Sequence, residues 1–273
     1  MSLPSRKSRI SIRLATWLIC AAIWQCFALI QGKPKLFPTL ENIVAVSLPE
    51  FSLFDPGIPP GVRGALIMIG GAAIQTIGRI TVGLTMGSVA GFLCASGAYL
   101  IGANRQFSRM LLGVARGVPL LALIPLFMFW FGQRETGMYL YIAFGVFVVI
   151  SAVLYEAFCN VPIQYLHEAR LLRASRLRAF ATVEFRAIQP QLISAFREIA
   201  GLSWAFSLGA EYLTARSGLG YLVAQSYLYA DMGKLLIMAA VYSILAYSTY
   251  LLLDAFSAYA GKWYIVQNNE GFE

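Results

Sequence analysis

The sequence contains little of what a metal or catalytic site is built from. Its 273 residues include a single histidine, His167, and four cysteines. Cys20, Cys26, Cys94 and Cys159 lie in or beside apolar stretches and form no C-x-x-C pair. A zinc or iron–sulfur site therefore has almost no candidate ligands, no metal is expected, and the cysteines are interpreted as small buried hydrophobic residues.

Charge is also scarce. Charged residues make up 12% of the chain, hydrophobic residues 59%, and the mean hydropathy is +0.68. A soluble domain carries roughly twice this charged fraction, so a soluble enzyme is excluded. The net charge of +8 could suggest nucleic acid as a partner. The basic residues, however, lie between apolar runs rather than along one face, which is typical of cytoplasmic loops, so no nucleic acid is expected.

Long apolar runs dominate what remains, and they predict an all-α integral membrane protein with six transmembrane helices. The predicted crossings are residues 14–30, 80–101, 110–131, 138–159, 192–215 and 235–253. The basic start resembles a signal peptide, but its apolar part is too long, so it is retained as the first crossing. The apolar residues before Arg79 are expected either to lie on the outer surface or to extend the second helix.

Two of these crossings carry further signals. Residues 110–131 contain Pro119 and Pro125, which are expected to bend one membrane helix. Small residues in the second crossing would let helix backbones approach closely. These small residues are Gly83, Gly87, Ala90 and Gly91.

The lysine and arginine distribution favours cytoplasmic termini, with thirteen basic residues on inner segments and six on outer ones. The inner residues are Arg6, Lys7, Arg9, Arg13, Arg105, Arg109, Arg170, Arg173, Arg176, Arg178, Arg186, Arg197 and Lys262; the outer ones are Lys33, Lys35, Arg63, Arg134, Arg216 and Lys234. The predicted organisation is a cytoplasmic N-terminus (1–13), a six-helix transmembrane permease domain (14–261) with a charged loop at 160–190, and a cytoplasmic tail (262–273).

The segment Tyr165–Pro190, "YLHEARLLRASRLRAFATVEFRAIQP", is the most charged part of the chain. Its apolar residues recur every three positions, which would wrap a single straight helix more than halfway round. Two short helices with a break fit better, the first beginning near Pro162–Glu168 and the second ending before Pro190. Periodicity alone leaves open whether the segment binds a partner or is a solvated loop.

This segment resembles the EAA loop of ABC importer permeases, whose usual form is close to EAAxxxGASRxxxFxxVxLPxxxP. The matching residues are Glu168, Ala169, Ala174, Ser175, Arg176, Phe180, Val183 and Pro190. The spacing from Glu168 to the Ala-Ser-Arg tripeptide is one residue shorter than usual. Arg173 stands where the family has glycine, and Phe185-Arg186 replaces Leu-Pro.

The resemblance extends along nearly the whole chain. "LFPTLENIVAV" and "IGRITVGLTMGSVAGF" are similar to the early periplasmic segment and the second span of such permeases. "GVPLLALIPLFMFWFGQRET" and "GLSWAFSLGAEYLTARSGLGYLV" resemble the third- and fifth-span signatures of the nitrate/sulfonate/taurine branch. In the third, Pro119-Leu120 replaces a Pro-Pro pair, and Gln133-Arg134 replaces a plain glycine turn.

The resemblance implies the type I ABC importer permease fold, with a cytoplasmic coupling helix docked on a separate ATPase. The coupling contacts would come from Glu168, Ala169, Ala174, Ser175 and Arg176. The chain has no G-x-x-x-x-G-K-[ST] motif, so it is not expected to be an ATPase itself, and ATP and Mg²⁺ would bind the partner. ATP-driven closure of the ATPases would then switch the bundle between inward- and outward-open states.

The implied partners are two cytoplasmic ATPase subunits, a second permease chain (the same or a paralogue), a periplasmic or lipid-anchored solute-binding protein, and the lipid of a prokaryotic inner membrane. The cargo would be a small solute that is expected to be anionic: nitrate, a sulfonate, taurine, bicarbonate or a similar compound.

Glu211 is the candidate pathway residue, because a carboxylate in a membrane helix is costly to bury. Ser203, Trp204 and Ser207 lie near it on the same helix. The alternative is a structural role for Glu211, paired with Arg79 or a backbone turn, and plain helix packing for Trp204. Arg197 and Glu198 are expected to pair with each other.

Two other functions are compatible with a membrane protein of this size. An ion-gradient-driven secondary transporter or channel would be expected to show matched broken helices in two similar halves, and no such symmetry is visible. A membrane-integral enzyme would need clustered histidine, aspartate or cysteine, which a single histidine does not supply.

Overall fold

A computed structural model describes residues 6–132, 134–214 and 216–260, and every regular element in these ranges is helical. The α-helices are α1 (Arg6–Gln31), α2 (Leu40–Asn42), α3 (Val62–Leu100), α4 (Arg105–Gly117), α5 (Leu120–Phe131), α6 (Glu135–Cys159), α7 (Ile163–Leu171), α8 (Arg176–Ala179), α9 (Phe185–Ala187), α10 (Gln189–Thr214), α11 (Leu219–Leu228) and α12 (Met232–Ala260). The π-helical turns Ile43–Ser47 and Phe180–Glu184 and the 3₁₀-helix Pro49–Phe54 complete the set.

Three helices of the described chain are long and apolar enough to cross a membrane: α3, α6 and the part of α12 from Met232 to Ser257. The pair α4 and α5 makes a fourth if it is counted as one broken span. An all-helical membrane fold is thus confirmed, while six crossings, and the division at residues 13 and 262, stay predictions. The predicted cytoplasmic tail (262–273) and residues 1–5 of the predicted N-terminus lie outside the described residues. Residues 6–13 are described as part of α1, without their side chains.

The third predicted crossing is not one bent helix. α4 and α5 meet at an angle of 85° around Val118 and Pro119. Pro119 has no N–H to continue the helical ladder, and its ring drives the preceding residue out of the helical region, so Val118 is extended, with φ −71° and ψ 124°. Pro125 lies inside α5 without interrupting it.

By contrast, the apolar stretch around Arg79 forms one continuous helix. Of the two alternatives for the residues before Arg79, the structure has the helical extension: α3 runs for 39 residues. That is about twice the number needed to cross a bilayer core.

The described chain divides into two compact units. The described residues of the first are 6–73 and 222–241. In it the Trp24 indole donates a hydrogen bond to the Pro38 carbonyl (3.0 Å), which holds the proline-rich segment against α1. The Lys234 ammonium is buried and lies 2.7 Å from the Glu50 carboxylate and 3.4 Å from that of Asp231.

The described residues of the second unit are 74–132, 134–214, 216–221 and 242–260, and its centre is α6. Fully buried side chains of α6, among them Tyr141, Ile142 and Leu154, pack against neighbouring helices α4, α5 and α10. Because α6 is apolar on nearly all sides, it is buried as a central helix rather than exposed on one face.

Glycines bring α3 against α6, as the small-residue pattern predicts. Gly83, Gly87 and Gly91 recur every four residues and therefore share one helix face. A Cβ at Gly83 would lie 2.5 Å from Ile142, and one at Gly91 would lie 2.9 Å from Ile150. The close approach at the three glycines is confirmed, but Ala90 points away and is exposed.

The cysteine interpretation was wrong for this chain taken alone. Cys20, Cys26 and Cys94 are exposed, and Cys159 is half-buried. Their apolar neighbours are exposed as well, because a membrane helix presents its apolar side to lipid or to another helix rather than to its own core.

Candidate functional site

A cluster of charges lies around Arg79 in the middle of α3; Arg79 and Glu211 are buried, and Glu135 is 51% exposed at its edge. The Arg79 side chain is 2% exposed, and all five of its N–H groups have acceptors. Nε and Nη2 donate to the Glu135 carboxylate at 2.7 and 2.6 Å. Nη1 donates to the Glu211 carboxylate at 2.8 Å, and the carbonyl and hydroxyl of Ser217 accept the remaining bonds, both at 2.8 Å.

Glu211 on α10 is the second member of this cluster, and its side chain is fully buried. Besides Arg79, its carboxylate accepts hydrogen bonds from the Thr76 hydroxyl at 2.9 Å and the Ser207 hydroxyl at 3.2 Å. The backbone N–H of Gly220 donates a further bond at 2.8 Å. A buried carboxylate needs such a set of donors, since desolvation otherwise outweighs its ion pair.

The turn that follows α10 closes over these two side chains because it contains two glycines. Gly218 has φ +98°, and a Cβ there would lie 2.6 Å from the Glu211 carboxylate and closer still to Arg79. A Cβ at Gly220 would lie 2.5 Å from that of Glu211. Between them the Leu219 N–H donates to the Thr76 hydroxyl at 2.9 Å.

These contacts hold α3, α6 and α10 together, which is a structural role. Arg79 has no N–H left for a further acceptor, so it offers no free cation to a passing anion. The structural alternative for Glu211, pairing with Arg79 and with a backbone turn, is present in the structure. A direct role of Glu211 in transport remains a prediction.

The other three predicted pathway residues lie on α10 and are buried within the chain. Ser207 joins the cluster through Glu211. Trp204 donates to the Thr249 hydroxyl at 3.3 Å and packs edge-on against Tyr242, 6.0 Å away. Ser203 donates to the Ala200 carbonyl of its own helix at 2.7 Å and has no bond to Glu211.

The charged segment Tyr165–Pro190 folds as two helical pieces with a break, as its periodicity predicts. α7 ends in a Schellman arrangement, in which the Ala174 N–H donates to the Ala169 carbonyl (3.0 Å) and the Arg173 N–H to the Arg170 carbonyl (2.9 Å). Arg173 is left-handed, with φ 55°. The glycine that the EAA pattern has at this place is the residue such a position prefers.

The five predicted coupling residues meet at this break. Ser175 caps α8 by accepting from the Arg178 N–H (3.4 Å), and Arg176 donates to the Tyr99 carbonyl at the end of α3 (3.4 Å). Ala169 is buried and Ala174 half-buried beneath the surface, while Glu168, Ser175 and Arg176 are exposed. Their role in binding an ATPase is untested by this arrangement.

Glu184, in the second piece of the segment, is buried although its carboxyl forms no ion pair within the described residues. It is 4% exposed, and its Oε2 has no hydrogen-bond partner in the described chain. Burial raises the pKa of the Glu184 carboxyl, against a smaller lowering by the Tyr99 hydroxyl and Arg176. The fold therefore favours the protonated form.

Arg197 does not pair with Glu198. Its guanidinium lies 2.9 Å from the Asp254 carboxylate and over the ring of Tyr250, with Ser257 as a further partner. Adjacent residues on a helix point in different directions, so the neighbour in sequence is not the neighbour in space.

Sequence reasoning named Arg79 as a possible partner of Glu211 and missed three other members of the cluster: Thr76, Glu135 and Ser217. The available signal was the single arginine inside a long apolar helix, which requires a carboxylate partner somewhere in the bundle. Within the described residues, no group of three or more histidine, cysteine, aspartate or glutamate side chains could hold a metal ion.

Comparison with known proteins places the chain among transport proteins. Residues 87–263 match the family described as binding-protein-dependent transport system inner membrane component. A putative ABC transporter permease protein of Methanocaldococcus jannaschii is 24% identical over 275 residues, covering 97% of this chain and 95% of the relative.

Two other relatives have named cargoes. The taurine transport system permease protein of Escherichia coli is 24% identical, covering 94% of this chain and 90% of its own. The nitrate import permease protein of Synechococcus elongatus is 25% identical, covering 77% and 74%. Among solved structures, a methionine ABC transporter in inward-facing conformations superposes with a TM-score of 0.61 at 18% identity, over 70% of this chain and 95% of that one.

Proposed function

Because the chain belongs to the family of binding-protein-dependent transport system inner membrane components, we propose that it is the permease subunit of an ATP-binding-cassette importer. It would form the translocation pathway for a small solute by alternating access. Energy would come from two separate cytoplasmic ATPase subunits, which would hold the ATP and Mg²⁺. The family assignment favours this function over a secondary transporter or channel.

The observation that carries the proposal is the exposed apolar surface of Tyr165–Pro190. Three leucines at the break between its helical pieces, Leu171, Leu172 and Leu177, are 83%, 84% and 69% exposed. Exposing leucine side chains to water is unfavourable, and a cluster of them is typical of a surface that binds another protein. Glu168 and Arg176 beside them could add charge-assisted hydrogen bonds across such an interface.

The names of two relatives support a cargo with an oxyanion group. One is named for taurine, a zwitterion with a sulfonate group, and another for nitrate, so the cargoes share an oxyanion group, and the proposed cargo of this chain is a small solute that carries such a group. A second permease chain would complete the pathway, and a periplasmic or lipid-anchored solute-binding protein would deliver the cargo. The basic residues on predicted inner segments support an orientation with both termini in the cytoplasm.

Co-purification with the ATPase tests the proposal. The double substitution Leu171→Asp/Leu172→Asp should abolish recovery of the ATPase with the tagged chain, since two charges would be placed in an apolar interface. The control is Leu53→Asp, because Leu53 is also 69% exposed but lies in the 3₁₀-helix Pro49–Phe54, on a predicted outer segment. Full recovery of the ATPase by a monodisperse double variant would refute the docking surface.

A further inference from the structure

A pocket of about 780 Å³ lies beside the coupling segment, away from the Arg79 cluster and sharing no residue with it. Its walls come from the C-terminal part of α6, Arg116 of α4, residues between 160 and 165, and residues between 182 and 191. All of these residues belong to the second unit. Its volume lies within the range of small-molecule sites, roughly 300–1,000 Å³.

Arg116 and Arg186 line this pocket from different elements, and neither has an ion-pair or hydrogen-bond partner among the described residues. Arg116 shares one face of α4 with Arg105 and Arg109, at spacings of four and seven residues. Those two are matched at the end of α6: Arg105 donates to Asn160 at 2.7 Å, and Arg109 binds Glu156 with two hydrogen bonds. Arg116 is the member of this row left without an acceptor.

The carboxylate in the pocket does not neutralise these two arginines. Glu156 is the acidic residue in the lining, and it is already bound by Arg109 and by the Asn160 amide. The lining therefore has an excess of positive charge. Two guanidinium groups facing a shared space favour an oxyanion between them, which each can hold with paired N–H donors.

The rest of the pocket is mostly apolar. Val153, Val161, Val183 and Pro190 supply aliphatic surface, and Tyr165 and Gln191 add polar groups. Apolar walls with a few placed charges are typical of sites that bind an amphipathic small molecule rather than a hydrated inorganic ion.

We propose that this pocket binds an organic anion, with its oxyanion group between Arg116 and Arg186 and its apolar portion against Val153 and Val161. Two sources share this chemistry: a free small anion, and the phosphate group of an anionic lipid. If the ligand is a free anion, it would be a cargo molecule that has already crossed the membrane, and this alternative rests on the proposed function. The lipid alternative does not.

Binding of butane-1-sulfonate to the full-length chain in phosphatidylcholine nanodiscs tests the site. Calorimetric titration should show binding, while butyltrimethylammonium, of similar size and opposite charge, should not bind. Arg116→Gln and Arg186→Gln should each weaken binding about tenfold or more, the effect of losing one charge-assisted hydrogen bond. Arg186→Lys should lie between, because it retains the charge and loses the paired donors.

Arg178→Gln is the matched control, since Arg178 is an exposed arginine of the same segment that does not line the pocket. It should bind the sulfonate like the wild type. Equal binding of the two probes, equal binding by the Arg116→Gln/Arg186→Gln variant, or no binding of sulfonate or lipid by a monodisperse wild-type chain would overturn the proposal.

Nanodiscs that contain phosphatidylglycerol separate the two sources. If the lipid is the ligand, phosphatidylglycerol should block sulfonate binding and remain attached in native mass spectra of the wild type but not of the double variant. If a free anion is the ligand, sulfonate binding should be unchanged. ATPase co-purification reports independently on the proposed function, so an anion site in a chain that recovers no ATPase would leave the site standing and refute the importer.

Discussion

The Arg79 cluster and the coupling segment use the same residue types in opposite ways. Arg79 is 2% exposed, and each of its donors has an acceptor inside the chain. The arginines of Tyr165–Pro190 are exposed, and leucines more than two-thirds exposed lie among them. Charge inside the bundle thus holds helices together, whereas charge on the segment is available to another molecule.

Removing one partner of the buried ion pair should have the largest effect on stability. Arg79→Leu leaves the Glu211 carboxylate buried without its cation, and we expect a loss of about 3–5 kcal/mol in the free energy of unfolding. Denaturant titration in detergent micelles measures it. Arg178→Gln on the segment should change the same quantity by less than about 0.5 kcal/mol.

A double-mutant cycle then tests whether the two residues act together. The double variant Arg79→Leu/Glu211→Leu should lose less free energy of unfolding than the two single variants lose in total. Each single variant leaves one charge of the pair without its partner, whereas the double variant removes both charges. Additive effects would show that Arg79 and Glu211 stabilise the fold independently.

Gly218→Ala should have the next largest effect. It combines a positive φ with a Cβ placed against Arg79 and Glu211, for an expected loss of about 2–5 kcal/mol. Gly201→Ala on α10 is the control, because a Cβ there meets no atom within 4 Å. It should stabilise the chain by up to about 1 kcal/mol through helix propensity. Equal thermal stabilities of the two variants would contradict the close packing of this turn.

On the segment, Arg173→Gly should stabilise rather than destabilise. Arg173 adopts a left-handed conformation that glycine takes without steric cost, so we expect a gain of about 0.5–1 kcal/mol after the extra entropy of the unfolded chain. Arg178→Gly, within α8, should instead lose up to about 1 kcal/mol. A stability loss in Arg173→Gly would show that the arginine side chain makes a contact worth more than the backbone strain.

The smallest effect concerns Glu184 and pH. Its pKa is raised, so the folded chain prefers the protonated carboxyl, and stability is lost as the pH rises above the ordinary value of 4.5. Melting temperatures of Glu184→Gln should therefore exceed those of the wild type at pH 7. The two should converge toward pH 4, as the Glu184 carboxyl becomes protonated and resembles the neutral glutamine. A constant difference across this range would mean that Glu184 does not titrate there.

Local rules were sufficient for much of this molecule. The apolar runs predict an all-helical membrane chain, the three-residue period predicts two short helices with a break, and Gly83, Gly87 and Gly91 predict a close helix contact. Each depends on residues within one or two turns of each other. The resemblance to importer permeases, carried by quoted motifs, is confirmed by the family match over residues 87–263.

The contacts between residues far apart in the sequence could not be predicted from such local patterns. Glu135 and Ser217 lie 56 and 138 residues from Arg79, and nothing in the order of the sequence joins them. Arg197 has an adjacent glutamate yet binds Asp254. The break at Val118–Pro119 was underestimated for another reason: proline bends or interrupts a membrane helix depending on the neighbours that take up its free carbonyls.

The glycine contact between α3 and α6 limits which motions are open to the protein. A shift of one residue would bring Leu84, Ser88 and Phe92 to the places where the glycines now touch α6, and their side chains would not fit. The two helices should therefore travel as one rigid body. Flexing between open and closed forms would then have to occur elsewhere, for which the corner at Val118–Pro119 is suited.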